Sequence, residues 1–167
     1  MQVMQVVVPY ATNPKHGSPW ALPAVQLALR QDGWEPQCLD LTGQETGYFD
    51  LVSELWSRRE TVTIVEHDIV VWPGAIQDLE NCSEDWCTYP YYCSLGWIQD
   101  GLGCTKFSGA LMERYPEFFA EPYPTCCNHS KHYCGLDRFI AHRFEELEVK
   151  PHVHSPGVTN LNARWTV

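Results

Sequence analysis

Positive charge is scarce in this chain. Its 167 residues include 11 lysines and arginines against 21 aspartates and glutamates, a net charge of −10 with an isoelectric point near 5.0. Binding along a nucleic-acid phosphate backbone needs a basic footprint, so that class is disfavoured, with room left only for a local patch around Lys106, Arg114, Lys131, Arg138 and Arg143. Long apolar runs are missing too. No stretch approaches the roughly 20 apolar residues of a membrane-spanning helix. The opening residues, MQVMQVVVPY, have no basic segment leading into an apolar core. The expectation is a soluble, cytoplasmic protein with no membrane partner. In that compartment the eight cysteines read as reduced thiols. A regular zinc-knuckle spacing is also absent. Cys126, Cys127, His129, His132 and Cys134 have ligand chemistry without paired spacing, so buried inert thiols are the default and a zinc-stabilised, non-catalytic binding module is the alternative.

What is present is an alternation of strands and helices. QVVVP is a short apolar run ended by Pro9, and WALPAVQLALRQDG places Leu22, Val25 and Leu29 on one helical face before Gly33 stops it. Ser18 before Pro19 suits the helix start, and Pro23 is tolerated only in a first turn. WEPQCLDL reads as a second strand, FDLVSELWSRR as a helix with Phe49, Val52 and Trp56 inward, and TVTIV as a third strand. This β-α-β-α-β order implies right-handed crossovers, hence an α/β fold with a mostly parallel central sheet and helices on both faces. A chain of this length is one domain's worth, burying about 70% of its unfolded surface.

TVTIVEHDIVVWPGA, residues 61–75, poses the main question, because an otherwise buried strand carries Glu66, His67 and Asp68 in its middle. Burying unpaired carboxylates costs several kcal/mol. Either the strand stops at Val65 and the acids are solvated there, or a cation compensates them. In an open α/β sheet the carboxyl ends of the strands face the ligand crevice, and a strand over Thr61–Val65 would place all three residues at its mouth. Near the C-terminus, His152 and His154 lie two apart in KPHVHSPGV, on the same side of a strand if the segment is extended. CGLDRFIAHRFEEL is amphipathic, with Leu136, Phe139, Ile140, Phe144 and Leu147 as the apolar stripe and Asp137 beside it in the first turn. Asp137 reads either as a helix-start acid favoured by the macrodipole or as a proton acceptor. The intervening segments are rich in aromatics. Trp86, Tyr91 and Trp97 could line a groove for sugar rings or belong to the core.

The opening VVVPY strand, the EHD triplet after the third strand, the GLDRFI helix and the closing HVHSPGV together resemble a small GT-A glycosyltransferase of the DXD type. The resemblance implies one Rossmann-like domain over 1–167, with a nucleotide-binding half over about 1–80 and an acceptor half over about 81–167. It implies that Pro9, Tyr10, Ala11, Thr12, Asn13, Glu66 and His67 bind the nucleotide, and that Asp68, His154 and His152 hold Mn²⁺ or Mg²⁺ against its diphosphate. Glu66 departs from Asp-X-Asp at its first position. Asp137 is implied as the base of an inverting transfer, with Trp86, Tyr91 and Trp97 on the acceptor side. The implied donor is a nucleotide sugar, foremost a UDP-sugar. The hydroxyl acceptor is left open among a protein, a glycan, a small molecule and a modified nucleobase.

Overall fold

The computed structural model describes residues 4–12, 19–93, 96–120 and 133–162. Asn13, Ser18, Cys126, Cys127, His129, His132 and the side chain of Cys134 lie outside the described residues, and with them the expectations placed there. In chain order the elements are β1 (Gln5–Tyr10), α1 (Leu22–Gln31), β2 (Gln37–Asp40), α2 (Gly47–Arg58), β3 (Val62–Val65), β4 (Ile69–Val71), α3 (Ala75–Asn81) and β5 (Trp86–Thr88). They continue with β6 (Tyr91–Cys93), β7 (Gly96–Ile98), β8 (Cys104–Phe107), α4 (Gly109–Arg114), α5 (Tyr133–Glu146), β9 (His152–Val153) and β10 (Val158–Asn160).

A six-stranded sheet in the order β2-β1-β3-β8-β5-β9 runs through both halves of the chain. β1 pairs in parallel with β2 and β3, and β5 with β9, while β8 is antiparallel to both its neighbours, so five of the six strands point one way. The expected mostly parallel α/β sheet is therefore the observed one. From β1 the chain reaches β2 on one side and then β3 on the other. Right-handed crossovers in opposite directions put α1 and α2 on opposite faces.

Strand alternation distributes the core accordingly. Val7, Val62, Ile64, Trp86 and Phe107 face α2 and α5, where Trp56, Phe118, Leu136, Ile140 and Phe144 meet them. Val6, Val8, Val65, Cys87 and Cys104 face α1, β4 and α3. The helices form for the reasons their spacing gives. Val25 and Leu29 are fully buried in α1, whose Pro23 sits in the first turn and whose Ala21 cap makes no side-chain bond. Phe49, Val52 and Trp56 are buried in α2.

The 61–75 stretch does not continue as one strand. β3 ends at Val65, residues 66–68 turn, and β4 leaves the main sheet to pair antiparallel with β10, Ile69 opposite Asn160. The carboxylates thus stand in a turn, where the backbone can bend away from the core.

Candidate active site at the carboxyl edge of the sheet

Strand order reverses between β1 and β3, which is where an open α/β sheet opens a crevice beyond its carboxyl ends. Pro9 is buried in the last part of β1, and Tyr10, Ala11 and Thr12 lead out of it into that crevice. Two hydrogen bonds tie this exit to the end of β2. Thr12 N donates to Thr42 Oγ1 at 2.9 Å, and Leu41 N to the Tyr10 carbonyl at 2.8 Å. Asp40 closes β2 and accepts from Thr42 N at 2.9 Å, and bonding to Thr42 holds its carboxyl below the usual range. Sequence reading passed over Asp40, although an acid ending the second strand of a β-α-β unit was a usable signal.

Glu66, His67 and Asp68 follow β3 and are each half-buried. Glu66 Oε1 accepts from the buried Tyr48 hydroxyl at 3.2 Å, and Glu66 N donates to the Gly103 carbonyl at 2.9 Å. Asp68 Oδ2 accepts from Asn162 Nδ2 at 2.9 Å, while Leu161 N donates to the Asp68 carbonyl at 2.8 Å. Asp137, in the first turns of α5, accepts from Leu102 N at 3.0 Å through Oδ1.

Residues 101–103 therefore bind both Glu66 and Asp137 through their backbone. The two glycines have a packing reason as well, since a Cβ on Gly101 or Gly103 would run into the Tyr91 ring. Tyr91 is 6% exposed, which makes it a packed wall of the crevice and corrects its expected role as an open sugar platform.

The electrostatics follow from this crowding. Burial, and then the charges of Asp137 and Asp68, push the Glu66 carboxyl well above its ordinary range, against the Tyr48 hydrogen bond. Burial pushes the Asp137 carboxyl up to about 6, opposed by the Leu102 N–H and aided by Asp100. The Tyr48 and Tyr91 hydroxyls are held protonated first by burial and then by Glu66 and Asp137. Among the described residues no lysine or arginine forms an ion pair with Glu66, Asp68 or Asp137.

The histidines are placed elsewhere. His152 and His154 do share a side, ring centroids 4.7 Å apart, as their spacing implied. Yet β9 lies at the far edge of the sheet beside β5, and the His154 ring packs 5.0 Å from Tyr89 and next to Cys82 and Cys87. The expected partnership of His154 with Asp68 is thereby corrected. The order of strands, invisible in a linear spacing, carries the histidine to a different neighbourhood.

Trp86 needs a similar correction. It is 3% exposed, its ring stacks on Phe144 at 4.3 Å, and its Nε1 donates to Thr105 Oγ1 at 3.1 Å, so it belongs to the core and offers no free face. Trp97 is the reverse. At 62% exposed, it stands on the β6–β7 hairpin with Tyr92 edge-on at 5.8 Å.

A cleft of about 840 Å³ lies beside α5, lined by Trp86, Asp100, Arg138, His142, Glu145 and Lys150 among others. Asp100, on its wall, also helps to raise the Asp137 carboxyl. Among the described residues no helix is long and apolar enough to cross a membrane.

No family model matches the sequence, and no curated protein matches it either. Solved structures do match the fold. A glycosyltransferase involved in the glycosylation of the major capsid of PBCV-1 superposes with a TM-score of 0.54 at 10% identity, over 94% of this chain and 93% of that one. A197 from STIV gives 0.51 at 15% identity, over 91% and 82%. The inositol-1-phosphate CTP transferase from T. maritima gives 0.50 at 9%, over 98% and 92%. At these identities the likeness is one of fold, shared between glycosyltransferases and nucleotidyltransferases.

Proposed function

We propose that the protein is a nucleotide-sugar-dependent glycosyltransferase acting on a hydroxyl acceptor. The observation that carries this reading is the grouping of Glu66, Asp68 and Asp137 beyond β3, with Glu66 and Asp137 bound to the 101–103 backbone, Asp68 held by Asn162, and no lysine or arginine ion-paired to any of them among the described residues. Carboxylate oxygens are the donors that Mg²⁺ and Mn²⁺ prefer, so Asp68 and Glu66 fit such an ion, and His154 is not part of that set. The ion would stabilise the negative charge that builds on a departing diphosphate.

The chain's own residues account for the rest. Tyr48 orients Glu66 by donating to it, and the Asp68 carboxylate is held by Asn162. Tyr10, Ala11, Thr12 and Asp40 border the place for the nucleoside, where the Asp40 carboxylate accepts from ribose hydroxyls or a base N–H. The acceptor reaches Asp137 from the cleft beside α5, and Trp97 offers an exposed ring for it. Asp137 keeps Oδ1 on the Leu102 N–H, which leaves Oδ2 to take the proton of the acceptor hydroxyl. The acceptor oxygen bonds to the anomeric carbon as the bond from that carbon to the diphosphate oxygen breaks, and the product has the inverted configuration.

A thermal-shift panel of nucleoside diphosphates, their sugars and nucleoside triphosphates, each with and without Mn²⁺, tests the reading. A nucleotide sugar at about 100 times its Kd should add roughly 2.7 kcal/mol, a rise of a few degrees that disappears without the ion. A response to triphosphates alone would favour the nucleotidyltransferases that share the fold.

A further inference from the structure

A second donor cluster lies away from the crevice. The Sγ atoms of Cys82 and Cys87 and a ring nitrogen of His154 all fall within 4.8 Å of one another. Three separate elements bring them together. Cys82 caps the end of α3, Cys87 is the central residue of β5, and His154 follows β9, whose His152 stands opposite Cys87 in the parallel register. The two sulfurs are 2.8 Å apart as free thiols. His154 N donates to the Thr88 carbonyl at 2.9 Å, which fixes the backbone. Its ring nitrogen Nε2 is buried with no hydrogen-bond partner among the described residues. A buried imidazole nitrogen left unpaired calls for an explanation such as an ion.

The setting has the right charge. Lys106 is 3% exposed, donates to the Cys82 carbonyl, and forms no ion pair with a carboxylate among the described residues. A buried ammonium is expensive without nearby negative charge, and two thiolates would supply it.

The geometry points to a binding site for a thiophilic d¹⁰ cation, Zn²⁺ foremost, held by Cys82, Cys87 and His154 with its fourth position open to solvent or an exogenous ligand. Zn–S bonds of about 2.3 Å and a Zn–N bond of about 2.0 Å on tetrahedral corners put donors roughly 3.5–3.8 Å apart, so side-chain shifts of about an ångström close the site. Sulfur and imidazole donors select such an ion over Mg²⁺ or Mn²⁺. Bound there, the ion would tie β9 to α3 and β5, so that the closing segment of the described chain is anchored to the sheet. This site is independent of the glycosyltransferase reading.

The test uses the full chain, reduced and stripped of metal. Adding Zn²⁺ should slow alkylation of Cys82 and Cys87 at least tenfold, as mapped by mass spectrometry on the unsubstituted protein. Cys82→Ser and, separately, His154→Ala should each remove one equivalent of bound Zn²⁺, while Cys126→Ser with Cys127→Ser keeps that equivalent. The Co²⁺-loaded protein should show a thiolate-to-cobalt charge-transfer band that weakens in Cys87→Ser. Equal alkylation with and without Zn²⁺ would overturn the proposal. So would unchanged stoichiometry in Cys82→Ser, or a Cys82–Cys87 disulfide in protein purified without reductant.

Discussion

Beyond the carboxyl ends of β1 and β3 the converging side chains are carboxylates and phenols. Beside β5 and β9 they are two thiols and an imidazole. Both groups are partly withdrawn from water, and in each, burial moves two of the ionisable groups toward their neutral forms. Glu66 and Asp137 are pushed up, the Cys87 thiol is pushed up to about 12, and the His154 imidazole is pushed down. The difference lies in the atoms offered. Hard oxygens suit Mg²⁺ or Mn²⁺ exchanging with a substrate's phosphates, whereas sulfur and nitrogen suit a tightly held Zn²⁺. On the two proposals, one chain would separate a site for chemistry from a site for fastening.

Substitutions probe this difference, and the largest effect belongs to the crevice. Asp137→Asn keeps an oxygen for the Leu102 N–H but cannot take a proton. Turnover should fall by roughly 10²- to 10⁴-fold with donor affinity unchanged, measured by steady-state kinetics beside calorimetry. Retention of activity within a few-fold would remove Asp137 from the chemistry. Trp86→Ala should come next, destabilising the fold by about 3–5 kcal/mol in denaturant titrations because it empties a stacked core position. Selective loss of acceptor binding at unchanged stability would restore Trp86 as a platform.

The separation itself is read most cleanly from a pair of variants. Asp68→Ala should weaken Mn²⁺-dependent donor binding by about 10- to 100-fold, a loss at least as large as those seen for residues that only support a ligand, and leave Zn²⁺ uptake as it was. Cys82→Ser should do the opposite. Cross-effects in either direction would join the two sites into one.

A smaller effect concerns pH. Asp137 has a folded-state pKa of about 6 against an ordinary 3.8, so the native state holds its proton after the unfolded chain has lost it. Stability of the metal-free protein therefore falls as pH rises from about 4 to about 6, and the raised Glu66 pKa extends the same sign upward. Melting temperature should drop by a few degrees across that window, and Asp137→Asn should flatten part of the slope. A melting temperature that rises there would contradict the burial of the Asp137 and Glu66 carboxyls.

Much of this was legible in the residues and some was not. The stop at Val65 could be read because a buried run cannot continue through two carboxylates, and α2 and α5 because their apolar spacing repeats at the helical period. Asp137 could be placed beside its stripe for the same reason. His154 was assigned to the wrong neighbours because its environment depends on β9 joining β5, a pairing of residues more than sixty positions apart. Tyr48 escaped notice because it meets Glu66 across a contact between α2 and the turn after β3, with no local pattern. Trp86 misled because a three-residue strand is too short for alternation to reveal which side is inward. Trp97 and Trp86 are alike in sequence terms, and only the fold separates an exposed ring from a buried one.

The glycosyltransferase proposal turns on which bond breaks in the donor. The protein would be incubated with Mg²⁺ and a panel of nucleotide sugars, with water standing in for the unknown acceptor, and the products followed by phosphorus and proton NMR. The expected result is free nucleoside diphosphate and a sugar of inverted anomeric configuration, lost in Asp137→Asn. Cleavage within the diphosphate to nucleoside monophosphate and sugar phosphate would contradict it, as would pyrophosphate release only from a nucleoside triphosphate with a sugar phosphate.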